Sequence, residues 1–82
     1  GIANKVVELD ALSSETKKWA EHLSKRSPQA LSLTKKLMND SITKSYDEIF
    51  KAEAEAQNNI FGSDENMEGV KAFLEKREPN FK

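Results

Sequence analysis

The chain has 82 residues, a third of them charged, and its 13 basic and 14 acidic side chains leave a net charge of −1. So small a net charge does not suggest the basic surface with which proteins bind nucleic acid. No apolar run is long enough for a membrane span. We therefore expect neither nucleic acid nor a membrane as a partner. With no cysteine and one histidine, the chain lacks a disulfide framework, a thiolate zinc site and a multi-histidine metal site.

Apolar residues make up 37% of the chain, which is a low share for a domain that folds alone. At this size, burial of apolar surface at about 25 cal/mol per Å² nearly cancels a conformational entropy cost of about 1.5 kcal/mol per residue. We therefore expect the folded chain to be stabilised by packing against a partner surface.

The first half of the chain predicts an extended segment followed by two helices. Residues 1–9 carry two adjacent β-branched residues after a glycine and cannot complete a helical stripe. From Asp10 to about residue 25 the apolar residues recur at helical spacing, which predicts the first helix. Ser27 and Pro28 then suit the cap and the first position of a second helix.

The second half predicts two further helices. Ser45 followed by Glu48 has the spacing of a capping box, which indicates the start of the third helix. Gly62 suits a left-handed turn, and a fourth helix begins after it and ends before Pro79, with its acidic residues, Glu65 and Glu68 among them, toward water. The chain is therefore predicted to be all-α, with a short extended N-terminal segment followed by four helices.

Three polar features are candidates for a catalytic role, and each has a simpler interpretation. Asp64 and Glu68 lie four residues apart at a helix start, where they complement the helix dipole in water. Glu53 falls on an apolar stripe, which favours a salt bridge or hydrogen bond, with Gln57 as a candidate neighbour. His22 has no acid or nucleophile at a triad spacing and is predicted to be a surface residue. We assign no catalytic residue and no metal ligand.

The C-terminal tail combines aromatic and basic side chains. Phe73 and Phe81 lie close in sequence to Lys76 and other cations. An aromatic ring beside a cation can stack on a nucleotide base while the cation pairs with a phosphate. The alternative is that Phe73 belongs to the core and the lysines are solvated, and composition alone favours this alternative.

Two motifs in the chain are more specific than its composition. One is Ser27-Pro28-Gln29-Ala30-Leu31 followed by Thr34-Lys35. The other reads Ser63-x-x-x-x-Glu68-Gly69-x-x-Ala72-Phe73-Leu74-Glu75-Lys76-Arg77-x-Pro79-x-Phe81. Together and in this order they resemble the C-terminal part of the crotonase family, the enoyl-CoA hydratases and isomerases.

The resemblance implies the C-terminal helical subdomain of an enzyme that acts on acyl-CoA thioesters. Residues 1–9 would lead in from the catalytic core, and residues 10–82 would form a subdomain for oligomerisation and for covering the active site. The catalytic acids and the oxyanion hole would lie upstream of Gly1, so the segment by itself is expected to be inactive.

The resemblance also implies the binding residues and the partners. Phe73 and Lys76 match an aromatic residue and a lysine that contribute to the CoA pocket near the adenine and its phosphate. No cofactor is expected, since the CoA thioester is the substrate. The implied partners are the acyl-CoA, the remainder of the enzyme, and further copies in a trimer or dimer of trimers. The alternative is a free-standing four-helix module that binds acyl-CoA or another protein.

Overall fold

The computed structural model describes residues 1–81. A 3₁₀ turn at Leu9–Ala11 precedes four helices: α1 (Leu12–Ser24), α2 (Pro28–Asp40), α3 (Tyr46–Ile60) and α4 (Asp64–Glu75). Residues 1–8 carry no regular secondary structure, and no strand occurs within residues 1–81, which confirms the all-α prediction. None of the helices in this described part is long and apolar enough to span a bilayer.

The predicted caps of α2 and α3 are present. The Ser27 hydroxyl accepts a hydrogen bond from the Ala30 amide at 3.0 Å, with Pro28 at the first helical position. At α3 the box is reciprocal: the Ser45 hydroxyl accepts from the Glu48 amide at 3.3 Å, and the Glu48 carboxylate accepts from the Ser45 amide at 2.8 Å. These bonds satisfy amides that have no partner inside the helix.

The start of α1 is later than predicted. The 3₁₀ turn occupies Leu9–Ala11, and α1 begins only at Leu12. Ala11, at the cap position, has no side chain that could accept a hydrogen bond from the first turn. The helix therefore continues directly from the 3₁₀ turn, without a side-chain cap.

The turn between α3 and α4 is closed by a glycine and two polar side chains. Gly62 has a φ of 78°, the left-handed conformation predicted for the end of α3. Ser63 caps α4 by accepting from the Asn66 amide at 3.2 Å, and the Asn66 side chain accepts from the Gly62 amide at 3.1 Å. The direction in which α4 leaves α3 is thereby set by local bonds.

The four helices form a flat, open layer. The molecule measures 43 × 39 × 18 Å with a radius of gyration of 16.0 Å, whereas a compact domain of this length would have about 12 Å. The helices α2 and α3 make the most extensive helix-to-helix contact. Within residues 1–81 only Ala56 and Ala72 are buried among the hydrophobic residues, so the layer has almost no core of its own.

Large apolar side chains of every helix remain exposed. They include Leu12, Trp19, Leu23, Leu31, Met38, Tyr46, Phe50, Met67, Val70, Phe73 and Leu74. Exposed apolar side chains in this number are typical of protein contact sites and ligand-binding grooves. The helical stripes of the sequence are thus present, but no other part of residues 1–81 packs against most of them.

Candidate functional site

The chain reverses direction at the end of α4 through a left-handed residue. Lys76 has φ 55° and ψ 41°. Its amide donates to the Phe73 carbonyl at 3.2 Å, and the Arg77 amide donates to the Ala72 carbonyl at 3.0 Å. This pair of bonds is the Schellman motif, which usually places glycine at the left-handed position.

Lys76 therefore occupies a backbone conformation that favours glycine. It is the one non-glycine residue of positive φ within residues 1–81, and such a conformation costs a residue with a Cβ about 1–2 kcal/mol. Its side chain is exposed and forms no ion pair within this described part. The Lys76 ammonium thus contributes no visible contact to local stability and is available to a ligand.

The turn is fastened by the Glu68 carboxylate. Arg77 donates to it twice, Nη1 to Oε1 at 2.6 Å and Nη2 to Oε2 at 3.1 Å. The backbone amide of Asn80 donates to Glu68 Oε1 at 2.9 Å, and Arg77 Nε also donates to Glu75 Oε2 at 2.6 Å. We call these four residues, Glu68, Glu75, Arg77 and Asn80, the tail latch.

The tail latch changes the expected role of two acidic residues. Hydrogen bonds from Arg77 and from the Asn80 amide lower the pKa of Glu68 from 4.5 to about 2, so its carboxylate is engaged and does not merely complement the helix dipole. Glu65 was also expected to face water, but it accepts from the Ser27 hydroxyl and from the Gln29 amide at 3.1 Å. Glu65 therefore ties the start of α4 to the start of α2.

Phe81 folds back onto α4 after the latch. Its ring atoms lie 4.0 Å from the position that a Cβ on Gly69 would occupy. The Phe81 ring thus lies over Gly69. The distance is an ordinary van der Waals separation, so within residues 1–81 an alanine would also fit there.

An apolar groove of about 400 Å³ runs beside Phe81, between α4 and the facing ends of α2 and α3. Its apolar walls are Ala30, Ile60, Val70, Phe73, Leu74 and Phe81. The Phe73 side chain is 83% exposed at this groove, so it is not a core residue of the chain. Lys76 lies one helical turn beyond Phe73, so the fold brings the two predicted binding residues to the same end of α4.

A second groove of about 530 Å³ also has Phe81 in its wall, and most of its lining residues are polar. Its basic residues are His22, Lys25 and Arg26, from the end of α1, and they face Glu78 of the tail. His22 is exposed, as predicted, with Nε2 3.3 Å from Arg26 Nη2. The Phe81 ring thus separates an apolar groove from a polar one.

Glu53 does not make the contact expected from its place on an apolar stripe. Its side chain is exposed, and it has neither an ion pair nor a hydrogen bond from Gln57 within the part of the chain that the structure describes. The interpretation as a buried, paired carboxylate was wrong for this layer. Its neighbours Phe50 and Gln57 on α3 are also exposed, so within residues 1–81 the carboxylate is in water.

Comparisons with known proteins agree with the tail motif. The profile of the enoyl-CoA hydratase/isomerase family matches residues 1–82. Methylmalonyl-CoA decarboxylase of Escherichia coli is 34% identical and crotonyl-CoA hydratase of Syntrophomonas wolfei is 36% identical, each over 99% of this chain. The crystal structure of an enoyl-CoA hydratase from Mycobacterium marinum covers 98% of the chain with a TM-score of 0.85 and 31% identity.

The chain spans about a third of the length of these relatives. It covers 32% of the decarboxylase, 31% of the crotonyl-CoA hydratase and 32% of the solved hydratase. The matched region nevertheless includes all four helices and the tail latch, because the family profile extends over the whole chain. With this profile match, the resemblance noted in the tail is confirmed, and the chain belongs to the enoyl-CoA hydratase/isomerase family.

Proposed function

We propose that the chain is the C-terminal helical part of an enzyme that acts on acyl-CoA thioesters, and that the end of α4 forms part of the rim that holds the nucleotide end of CoA. The two curated relatives are named for different reactions, a decarboxylation and a hydration, on substrates that share the CoA group. The shared group is the part of the substrate that this segment would contact. The catalytic acids and the oxyanion hole would belong to the remainder of the enzyme.

The observation that carries the proposal is the pairing of Phe73 with Lys76. An exposed aromatic ring offers a face on which adenine can stack, and an ammonium without an ion-pair partner can bind a phosphate. Arg77 is the less suitable phosphate ligand because its guanidinium is already engaged by Glu68 and Glu75. We name Phe73 and Lys76 the nucleotide rim.

The open layer supports the second part of the proposal, which concerns partners. Its exposed apolar faces would pack on the remainder of the enzyme and on neighbouring copies in a trimer or dimer of trimers. A free-standing four-helix module would need a core of its own, and in residues 1–81 only Ala56 and Ala72 are buried. The lack of a core therefore weighs against the alternative of an independent module.

Calorimetric binding of two ligands to the full-length protein that carries this chain tests the nucleotide rim. The ligands are CoA and 4′-phosphopantetheine, which lacks the adenosine portion. Phe73→Ala and Lys76→Ala are each expected to raise the Kd for CoA by about five- to thirtyfold, since a stacked base or a charged hydrogen bond is lost. The Kd for 4′-phosphopantetheine should stay unchanged.

Lys71→Ala is the matched control. Lys71 is an exposed lysine on the same helix, and it lies beside Met67 and is not among the residues that line the groove at Phe73. The control should bind CoA like the unaltered protein. An unchanged Kd for CoA in both Phe73→Ala and Lys76→Ala would remove these residues from the site.

A further inference from the structure

We propose that Glu68 and Arg77 are positioning residues for CoA binding, which act by holding the turn that presents Lys76 and by fixing Phe81 as a wall of the groove beside Phe73. The inference rests on the proposed function of the nucleotide rim. Neither Glu68 nor Arg77 would touch the ligand. Their effect would pass through the backbone of residues 76–80.

The first step of the argument is the position of the Glu68 carboxylate relative to the turn. Glu68 lies two helical turns before the end of α4, and it accepts from Arg77 and from Asn80, one on each side of Pro79. A single carboxylate therefore joins the helix to both ends of the returning tail. The Schellman bonds of Lys76 and Arg77 hold only the helix end of this turn.

The second step concerns the left-handed backbone conformation of Lys76. A lysine with a left-handed backbone can change to a right-handed or an extended backbone conformation, in which its Cβ makes no steric clash. The turn therefore needs bonds from outside Lys76 in order to persist. Bidentate pairing of a guanidinium with a carboxylate has a fixed planar geometry, which restrains direction as well as distance.

The third step concerns Phe81. Its ring lies against Gly69 and lines both grooves. Asn80, the residue before it, is the one whose amide Glu68 holds. Release of Asn80 would let the ring leave α4, and the apolar groove at Phe73 would lose the wall that separates it from the polar groove.

Surface ion pairs usually contribute little to stability, and the side chains of Glu68 and Arg77 are 22% and 37% exposed. The expected effect of losing this pair is therefore on geometry at the nucleotide rim and not on the fold as a whole. This separates a positioning role from a merely structural one, because ligand affinity should change while the thermal midpoint of the protein changes little.

The experiment uses the full-length protein with Glu68→Gln, Arg77→Lys and Glu21→Gln. Glu21→Gln is the matched control, since it breaks an exposed ion pair with Lys17 on α1, outside the tail. Glu68→Gln is expected to raise the Kd for CoA by about three- to tenfold while the Kd for 4′-phosphopantetheine is unchanged. Arg77→Lys, which keeps the charge but not the bidentate geometry, should give a smaller rise.

The outcomes separate the two proposals. If Lys76→Ala raises the Kd for CoA but Glu68→Gln does not, the positioning role is overturned and the nucleotide rim stands. If Glu68→Gln raises the Kd for CoA and for 4′-phosphopantetheine equally, the tail acts on the whole site and the positioning role is again overturned. If neither Phe73→Ala nor Lys76→Ala changes the Kd for CoA, the rim itself fails, and the positioning role fails with it.

Discussion

Two residues of the chain adopt the same left-handed backbone with opposite consequences. Gly62 does so at the end of α3 without steric cost, and Lys76 does so at the end of α4 with a Cβ that meets the carbonyl oxygen. The turn after α3 only has to redirect the chain. The turn after α4 also presents an exposed ammonium group, which glycine could not do.

Replacement of Lys76 by glycine should therefore improve stability and impair binding at once. We expect Lys76→Gly to raise the free energy of unfolding by about 1 kcal/mol, because the left-handed strain is relieved. The same change should weaken CoA binding as much as Lys76→Ala does. Scanning calorimetry and binding calorimetry on the full-length protein measure the two effects, and a loss of stability in Lys76→Gly would contradict the strain argument.

The residues that the sequence predicted well are those whose partners lie nearby in the chain. Ser27 and Ser45 each cap an amide three residues away, so a short motif contains both groups. Glu65 and Glu68 were assigned to water because their partners lie outside any local motif. Glu65 bonds to Ser27, 38 residues away, and Glu68 reaches across the end of its helix to Arg77.

At the scale of elements, α4 and the tail that follows it form one structural unit, because Glu68 of the helix bonds to Arg77 and Asn80 of the tail. Hydrogen bonds from Arg77 and the Asn80 amide hold the folded pKa of Glu68 at about 2, below its ordinary value of 4.5. The carboxylate therefore stabilises the docked tail fully above pH 4.5. This contribution is lost as the pH falls from 4.5 through about 2, where the carboxylate becomes protonated.

An NMR titration of the side-chain carboxyl carbon of Glu68 from pH 7 to pH 1.5 measures this directly. Its midpoint is expected near 2, and the Asn80 amide signal should shift over the same range, since that amide donates to Glu68. In Arg77→Ala the midpoint should move toward 4.5, because the largest cause of the lowered pKa is removed. The titration uses the full-length protein, and a midpoint near 4.5 in its unaltered form would show that the tail is not held by Glu68.

The face of α4 that packs also differs from the one its apolar stripe favours. Ala72 is buried and Gly69 lies under Phe81, whereas Met67 and Leu74 are exposed. The residues of α4 that are covered within residues 1–81 are thus small ones. The larger apolar side chains are left for a surface outside residues 1–81, in agreement with the proposal that the remainder of the enzyme covers them.

At the scale of the whole molecule, a layer that buries two alanines cannot fold as a cooperative domain. The 82-residue chain alone is expected to show a helical circular dichroism spectrum, strong binding of the dye ANS and a broad thermal transition. It should also hydrate no crotonyl-CoA, because the proposed catalytic groups lie outside it. A sharp, two-state thermal transition of the monomer without ANS binding would contradict the open layer.

The amino-acid sequence by itself determined the number of helices, the caps of α2 and α3 and the membership of the family. The helices and their caps depend on side chains within a few positions of one another. The tail motif that indicates the family likewise lies in one continuous segment. Only the tertiary structure decided that Phe73 stays exposed, that Lys76 is left-handed and that Glu68 fastens the tail. The physical reason is that the pattern of an apolar stripe predicts that a surface covers it but does not identify the chain segment that supplies this surface. In the same way, a carboxylate in the sequence predicts a polar partner but not the position of that partner.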